Sequence, residues 1–206
     1  MSPAETAPQG AQEVVLIRHA ETEWSLTGRH TGRSDIPLTD RGRTAATALA
    51  VRLTAEHFTS VLVSPSRRAR QTCDLCGLGE RAEIREDLLE WDYGAYEGLT
   101  TPQIRERRAD WNLWRDGCPE GESAADVGRR ADRVIAELDR LDGVVAIVSH
   151  GHALRVLGAR WIDLAPEQGA RLGLATGAIC RLGYERSTRV LAGWNESAAP
   201  PRATAP

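Results

Sequence analysis

The sequence predicts an α/β fold, a mostly parallel open sheet with helices on both faces, and three observations lead there. Three apolar runs, Val14 to Ile17, Val61 to Val63 and Val144 to Val148, are short, rich in β-branched residues and free of polar alternation. That pattern suits strands buried on both faces of a parallel sheet. Each run gives way to a polar turn and then to a helix-like segment, and such alternation indicates α/β architecture. Each of the three turns also holds basic side chains: Arg18-His19, then Ser64-Pro65-Ser66-Arg67-Arg68, then Ser149-His150-Gly151-His152.

In chain order, residues 1–12 and 195–206 are Pro/Ala/polar stretches with little to bury, and both are predicted to be disordered tails around a single domain over 13–194. After the first strand, Thr39 can cap a helix running through Leu49 and Leu53. The second strand leads into a helix after Ser64 to Arg68. Residues 95–122 form an inserted segment, with a helix start at Thr101-Pro102 and with Trp111 and Trp114 at helical spacing, as packing anchors. Ser123 can cap the next helix, whose Val127, Ala131, Val134, Ile135, Leu138 and Leu141 recur every three or four positions. The third strand is followed by a helix from Ala153 to Trp161. Two last runs, Ala178 to Tyr184 and Val190 to Trp194, are predicted as closing strands, antiparallel at the edge.

Composition narrows the chemistry. The net charge of −3 over 206 residues offers no general attraction to nucleic acid or to an acidic membrane, so anion binding has to be local. All 26 basic residues are arginine. Without lysine, a Walker-type phosphate loop, a kinase strand lysine, a Schiff-base aldolase and a pyridoxal enzyme are excluded. Four cysteines, Cys73, Cys76, Cys118 and Cys180, are too few and scattered for a disulfide scaffold and read as plain thiols. No apolar run approaches the length of a membrane span and no secretory leader opens the chain, so a cytoplasmic protein is expected.

Ligands of open α/β sheets bind beyond the carboxyl ends of the strands, so the three basic turns are expected to converge on one mouth. Arg18 and His19 side by side repel when both are charged, and an anion offsets that cost. Helix N-termini after the turns add free N–H groups suited to phosphate. A neutral imidazole is a competent nucleophile at phosphorus, and guanidiniums beside it disfavour its protonated form. His19 and His150 are the candidates, one to attack and one to donate to phosphoryl oxygens. For the proton donor, Glu90 has two leucines and Trp91 as neighbours in sequence, an apolar setting that favours the acid form a leaving alkoxide needs. Glu97 is the weaker candidate. His150-Gly151-His152 alone looks like half a metal site, but no further matched ligands accompany it.

Arg18-His19-Ala20-Glu21-Thr22-Glu23-Trp24 resembles the Arg-His-Gly signature of the histidine phosphatase, or phosphoglycerate-mutase-like, superfamily. Ser66 to Thr72 is similar to that family's second-arginine motif, Leu89 to Gly94 to its acid segment, and Ser149-His150-Gly151 to its second-histidine motif. Gly28 to Gly32 with Ile36 to Thr39, Trp111 to Gly121, and His150 to Arg155 look most like small bacterial acid phosphatases of broad specificity and fungal enzymes acting on sedoheptulose bisphosphate. The resemblance implies a phosphoglycerate-mutase-like fold with residues 95–122 capping the strand ends, and a phosphomonoesterase acting on small phosphate esters through a phosphohistidine on His19. It implies that Arg18, Arg68 and His150 hold the phosphoryl oxygens and that Glu90 protonates the leaving group, with Thr22, Ser25, Thr31, Gly32 and Gly151 completing the substrate site. It implies no cofactor and no metal, since Arg and His supply the charge stabilisation; the acidic charge balance speaks against a nucleic-acid or membrane partner, and a homodimer is open. Ala20 stands where the signature has glycine, and Ser25 where the mutase branch has asparagine. A mutase, which must exclude water from its intermediate, and a non-catalytic phospho-ligand module are the alternatives.

Overall fold

A computed structural model describes residues 11–197; the tail expectations for 1–10 and 198–206 lie outside the described residues. The sheet has six strands, β1 (Ala11–Arg18), β2 (Phe58–Val63), β3 (Ala82–Ile84), β4 (Gly143–Ser149), β5 (Ile179–Glu185) and β6 (Thr188–Glu196), in the order β3-β2-β4-β1-β5-β6. β3, β2, β4 and β1 run parallel, and β5 is antiparallel to both β1 and β6. The mixed, mostly parallel sheet is the predicted one, with two differences. β3 is a strand that the sequence reading lacks, and the sheet takes in Ala11 and Gln12 at the start of β1 and Asn195 and Glu196 at the end of β6, residues expected to lie in the tails.

Alternation along the strands divides the core. Val14, Leu16, Leu62, Val145 and Ile147 face one side, where they pack with α6 (Ala124–Leu138) and α7 (Gly151–Trp161). Val15, Ile17, Val61, Val63, Ala146 and Val148 face the other, against α2 (Asp40–Leu53) and α3 (Arg67–Leu75). Both faces being covered explains why these strands read as unbroken apolar runs.

The helix starts follow their caps. Thr39 Oγ1 accepts from the Gly42 N–H to open α2, and Ser123 forms a reciprocal capping box with Asp126 at α6. Thr22 and Ser25 form another box at the four-residue α1 (Glu23–Leu26). In the 95–122 segment, α4 (Thr101–Arg107) starts at the expected Thr-Pro pair but stops early. Trp111 falls in the gap before Asn112 caps α5 (Leu113–Asp116), so Trp111 and Trp114 do not share a helix. Their rings still pack: Trp111 lies edge-on to Tyr96, and Trp114 to Trp91. No helix among the described residues is long and apolar enough to cross a membrane.

Candidate active site

Sheet register brings the basic turns together. Arg18 at the end of β1 is paired with Ser149 at the end of β4, and Val63 at the end of β2 with Val148. Residues 19, 64 and 150 therefore leave the sheet side by side. A cavity of about 170 Å³ opens there, lined by Arg18, His19, Ser25, Thr31 and Glu90 from the sequence-predicted set, and by Gly28, Arg29, His30, Tyr93 and His152 besides.

His19 is 5% exposed, and its Nδ1 lies 2.8 Å from the carbonyl oxygen of Ala20. A carbonyl only accepts, so Nδ1 carries the proton and Nε2 holds the lone pair. Burial first, then the charges of Arg18 and Arg68, push the His19 pKa well below its ordinary 6.5, against a smaller opposing effect of the Ala20 carbonyl. The imidazole is thus a neutral, fixed tautomer.

Arg18 donates from Nη1 to the Leu174 carbonyl, while its Nε is buried with no acceptor. A Cβ on Gly151 would meet the Arg18 guanidinium carbon at 3.0 Å, so glycine at 151 is what lets helix α7 approach. Arg68 is fully buried. It donates from Nη1 to Ser34 O, from Nη2 to Thr31 O and Gly32 O, and from Nε to His150 Nδ1 at 3.2 Å. Because Nδ1 of His150 accepts, its proton is on Nε2, which faces Ser64 Oγ at 2.7 Å. The His19 and His150 ring centroids are 5.2 Å apart. Burial, Arg68, His19 and Arg18, in that order, push His150 well below 6.5 as well.

Glu90 is 5% exposed. Its Oε1 accepts from the N–H groups of Trp91 (2.9 Å) and Ala153 (2.8 Å), its Oε2 from that of His152 (3.0 Å). The apolar setting expected from the sequence is not what the fold provides, since Leu88 and Trp91 turn into the core. Three peptide donors surround the carboxyl instead, leaving Oε2 the less occupied oxygen.

Two of those donors are the first N–H groups of α7, and at α3 the Arg67 N–H donates to Asp35 Oδ1. Three N–H groups of these helix N-termini, expected to face phosphate, thus meet carboxylates of the chain itself. Glu97, the second acid candidate, is likewise engaged: it accepts from the N–H groups of Gly32 and Ser34 and fixes that loop. Thr22, Gly32, Arg68, His150 and Gly151 lie behind the cavity wall rather than on it.

Sequence reasoning gave no role to Arg29, His30 or Tyr93, and placed His152 only in the third basic turn and in half a metal site. His30 is pinned to the 95–122 segment by backbone bonds with Gly98 and Leu99, and stacks on Tyr93 at 4.7 Å. Burial lowers its pKa to about 4. Tyr93 Oη lies 2.7 Å from His152 Nδ1; burial chiefly raises the phenol well above 10 and lowers the imidazole well below 6.5, so the pair is uncharged. The one signal available was position: His150 is the N-cap of α7, which puts residue 152 in the first turn beside whatever carboxylate meets that turn. Among the described residues no group of three or more His, Cys, Asp or Glu is placed to hold a metal ion.

The chain belongs to the histidine phosphatase superfamily (branch 1), whose family model matches residues 14–197. An acid phosphatase of Mycobacterium tuberculosis is 46% identical over 184 residues, covering 87% of this chain and 90% of that protein. Sedoheptulose 1,7-bisphosphatase of Saccharomyces cerevisiae is 36% identical over 193 residues, covering 78% and 71%. A solved Mycobacterium tuberculosis structure superposes with a TM-score of 0.85 at 42% identity, covering 91% of this chain and 99% of that one.

Proposed function

We propose that the protein is a metal-independent phosphomonoesterase that hydrolyses small phosphate esters through a phosphohistidine on His19. The observation that carries the reading is the His19 tautomer: a neutral imidazole, locked by the Ala20 carbonyl, with Nε2 unprotonated beside two guanidiniums and a carboxyl group. Nε2 attacks phosphorus, the phosphorus–oxygen bond to the leaving group breaks, and the proton on Glu90 Oε2 passes to the departing oxygen. Glu90 then takes a proton from water, whose oxygen attacks the phosphohistidine; the nitrogen–phosphorus bond breaks and orthophosphate leaves. Arg18, whose Nε has no protein acceptor, meets the phosphoryl oxygens, and Arg68, held by the neutral His150, offsets charge from behind. Thr31 and Ser25 border the ester, and selectivity is set by His30 and Tyr93 on the cavity wall; no residue of 95–122 lines the cavity, and that segment acts only by holding His30 through Gly98 and Leu99. Four buried free thiols fit a reducing compartment, the cytoplasm.

The test is rapid-quench turnover of an aryl phosphate. An acid-labile, base-stable phosphoryl label on His19, lost in His19→Ala together with activity, and indifference to EDTA are the expected results. Full activity in His19→Ala overturns the reading. Phosphoryl transfer to a phosphoglycerate in a coupled assay, in place of release to water, makes the protein a mutase.

A further inference from the structure

Glu90 lies where the chain has no regular secondary structure, between a 3-10 turn at Glu86–Leu88 and another at Gly94–Tyr96. No sheet ladder fixes its backbone. Arg130, in the middle of α6 with its side chain 11% exposed, spends every N–H on this stretch and its neighbour Glu122. Nη1 donates to Asp87 O (2.8 Å) and Leu89 O (2.9 Å), and Nη2 to Glu90 O (3.4 Å) and Glu122 Oε2 (2.8 Å). Nε donates to Glu122 Oε1 (2.8 Å). All five guanidinium donors are thereby used. Glu122 closes the frame from the other side: its Oε2 accepts from the Asp92 N–H, its carbonyl from Trp91 Nε1, and its own N–H donates to Asp92 O.

We propose that Arg130, braced by Glu122, is a positioning residue that sets the place of Glu90 relative to the reacting ester. Resting on the acid role given to Glu90 above, the inference concerns how that acid is aimed. The side chain of Glu90 is held from α7 and its main chain from α6, so Oε2 is placed by two helices rather than by its own loop. Arg130 does not border the cavity and touches no substrate. Lysine at 130 offers a point donor in place of a planar fork and cannot span these acceptors, so the segment shifts and proton transfer suffers while the phosphoryl site is untouched.

The experiment compares kcat/KM for esters running from 2,4-dinitrophenyl phosphate, whose leaving group needs no proton, to an alkyl phosphate, whose leaving group does. Wild type, Glu90→Gln, Arg130→Lys, Glu122→Gln and the Glu90→Gln/Arg130→Lys double variant are measured. Arg130→Lys is expected to lose about tenfold or more on the alkyl ester beyond its loss on the dinitrophenyl ester. Glu122→Gln should show the same ordering, and it serves alone if Arg130→Lys does not fold. The double variant should be no more selective than Glu90→Gln. Equal losses across the series in both Arg130→Lys and Glu122→Gln, with Glu90→Gln still selective, overturn the positioning role. A flat series in Glu90→Gln removes the acid itself, and the inference with it.

Discussion

His19 and its two chain neighbours show how much a single position decides. Arg18 lowers the proton affinity of the imidazole, and Ala20 supplies the carbonyl that selects its tautomer. Ala20 is absent from the residues with positive φ, so the methyl group that replaces the family's glycine is accommodated without strain. Ala20→Gly is therefore expected to leave kcat/KM within about threefold of wild type; a larger gain would show that the methyl group hinders the site. The depressed His19 pKa fixes a second outcome. With protonation displaced well below 6.5, kcat/KM for 2,4-dinitrophenyl phosphate should stay level as pH falls through 6.5 and decline only in more acid solution. An acid limb centred at 6.5 or above would contradict the neutral imidazole. The meeting of Arg18, His19 and His150 at the strand ends was legible because polar side chains directly after buried apolar runs lie at the carboxyl edge of a parallel sheet. Arg29 and His30 sit in an aperiodic loop, and Tyr93 beside Trp91 looks like any packing aromatic, so nothing in the residue pattern marked them for the cavity wall.

Helices α2 and α6 were readable from their caps and their periodicity, because a Thr or Ser hydroxyl closing the first turn is a local event. Ser123→Ala removes one half of the α6 capping box and should cost about 1 kcal/mol, seen as a fall in Tm of about 2–4 °C; no change in Tm would place the helix start under other control. Strand β3 was illegible for the opposite reason. It is three residues long, Glu83 and Ile84 are exposed, and it exists because β2 offers it a parallel partner, a fact of tertiary structure alone. Trp111 and Trp114 show the same limit: spacing of three suggested one helix, whereas Arg108 leaves helical geometry and Asn112 starts a new turn between them. Glu90 was found by its apolar neighbours, yet those neighbours point away and the peptide donors that hold it come from α7, more than sixty positions later.

Across the molecule, the sheet order places β1 at the centre, parallel to β4 and antiparallel to β5, so the first basic turn leaves between the second-histidine turn and the start of β5. Gathering four neutral histidines there, His19, His30, His150 and His152, links stability to pH. Unfolded, each takes up a proton near pH 6.5; folded, each resists. The unfolded state then binds more protons, so the stabilisation is full above 6.5 and is lost as pH falls, for His30 down through about 4 and worth about 3 kcal/mol. Urea midpoints should drop between pH 7.5 and 5, and His30→Gln should flatten that slope; a midpoint independent of pH would refute the linkage. The unaccepted Nε of Arg18 has its own bearing on turnover. A buried donor with no partner is costly, and any tetrahedral oxyanion that reaches it relieves that cost, whether or not it still bears an alcohol. Released orthophosphate is such a species, so on the proposed reading competitive product inhibition, and a higher melting temperature in phosphate than in chloride buffer, are the expected outcomes.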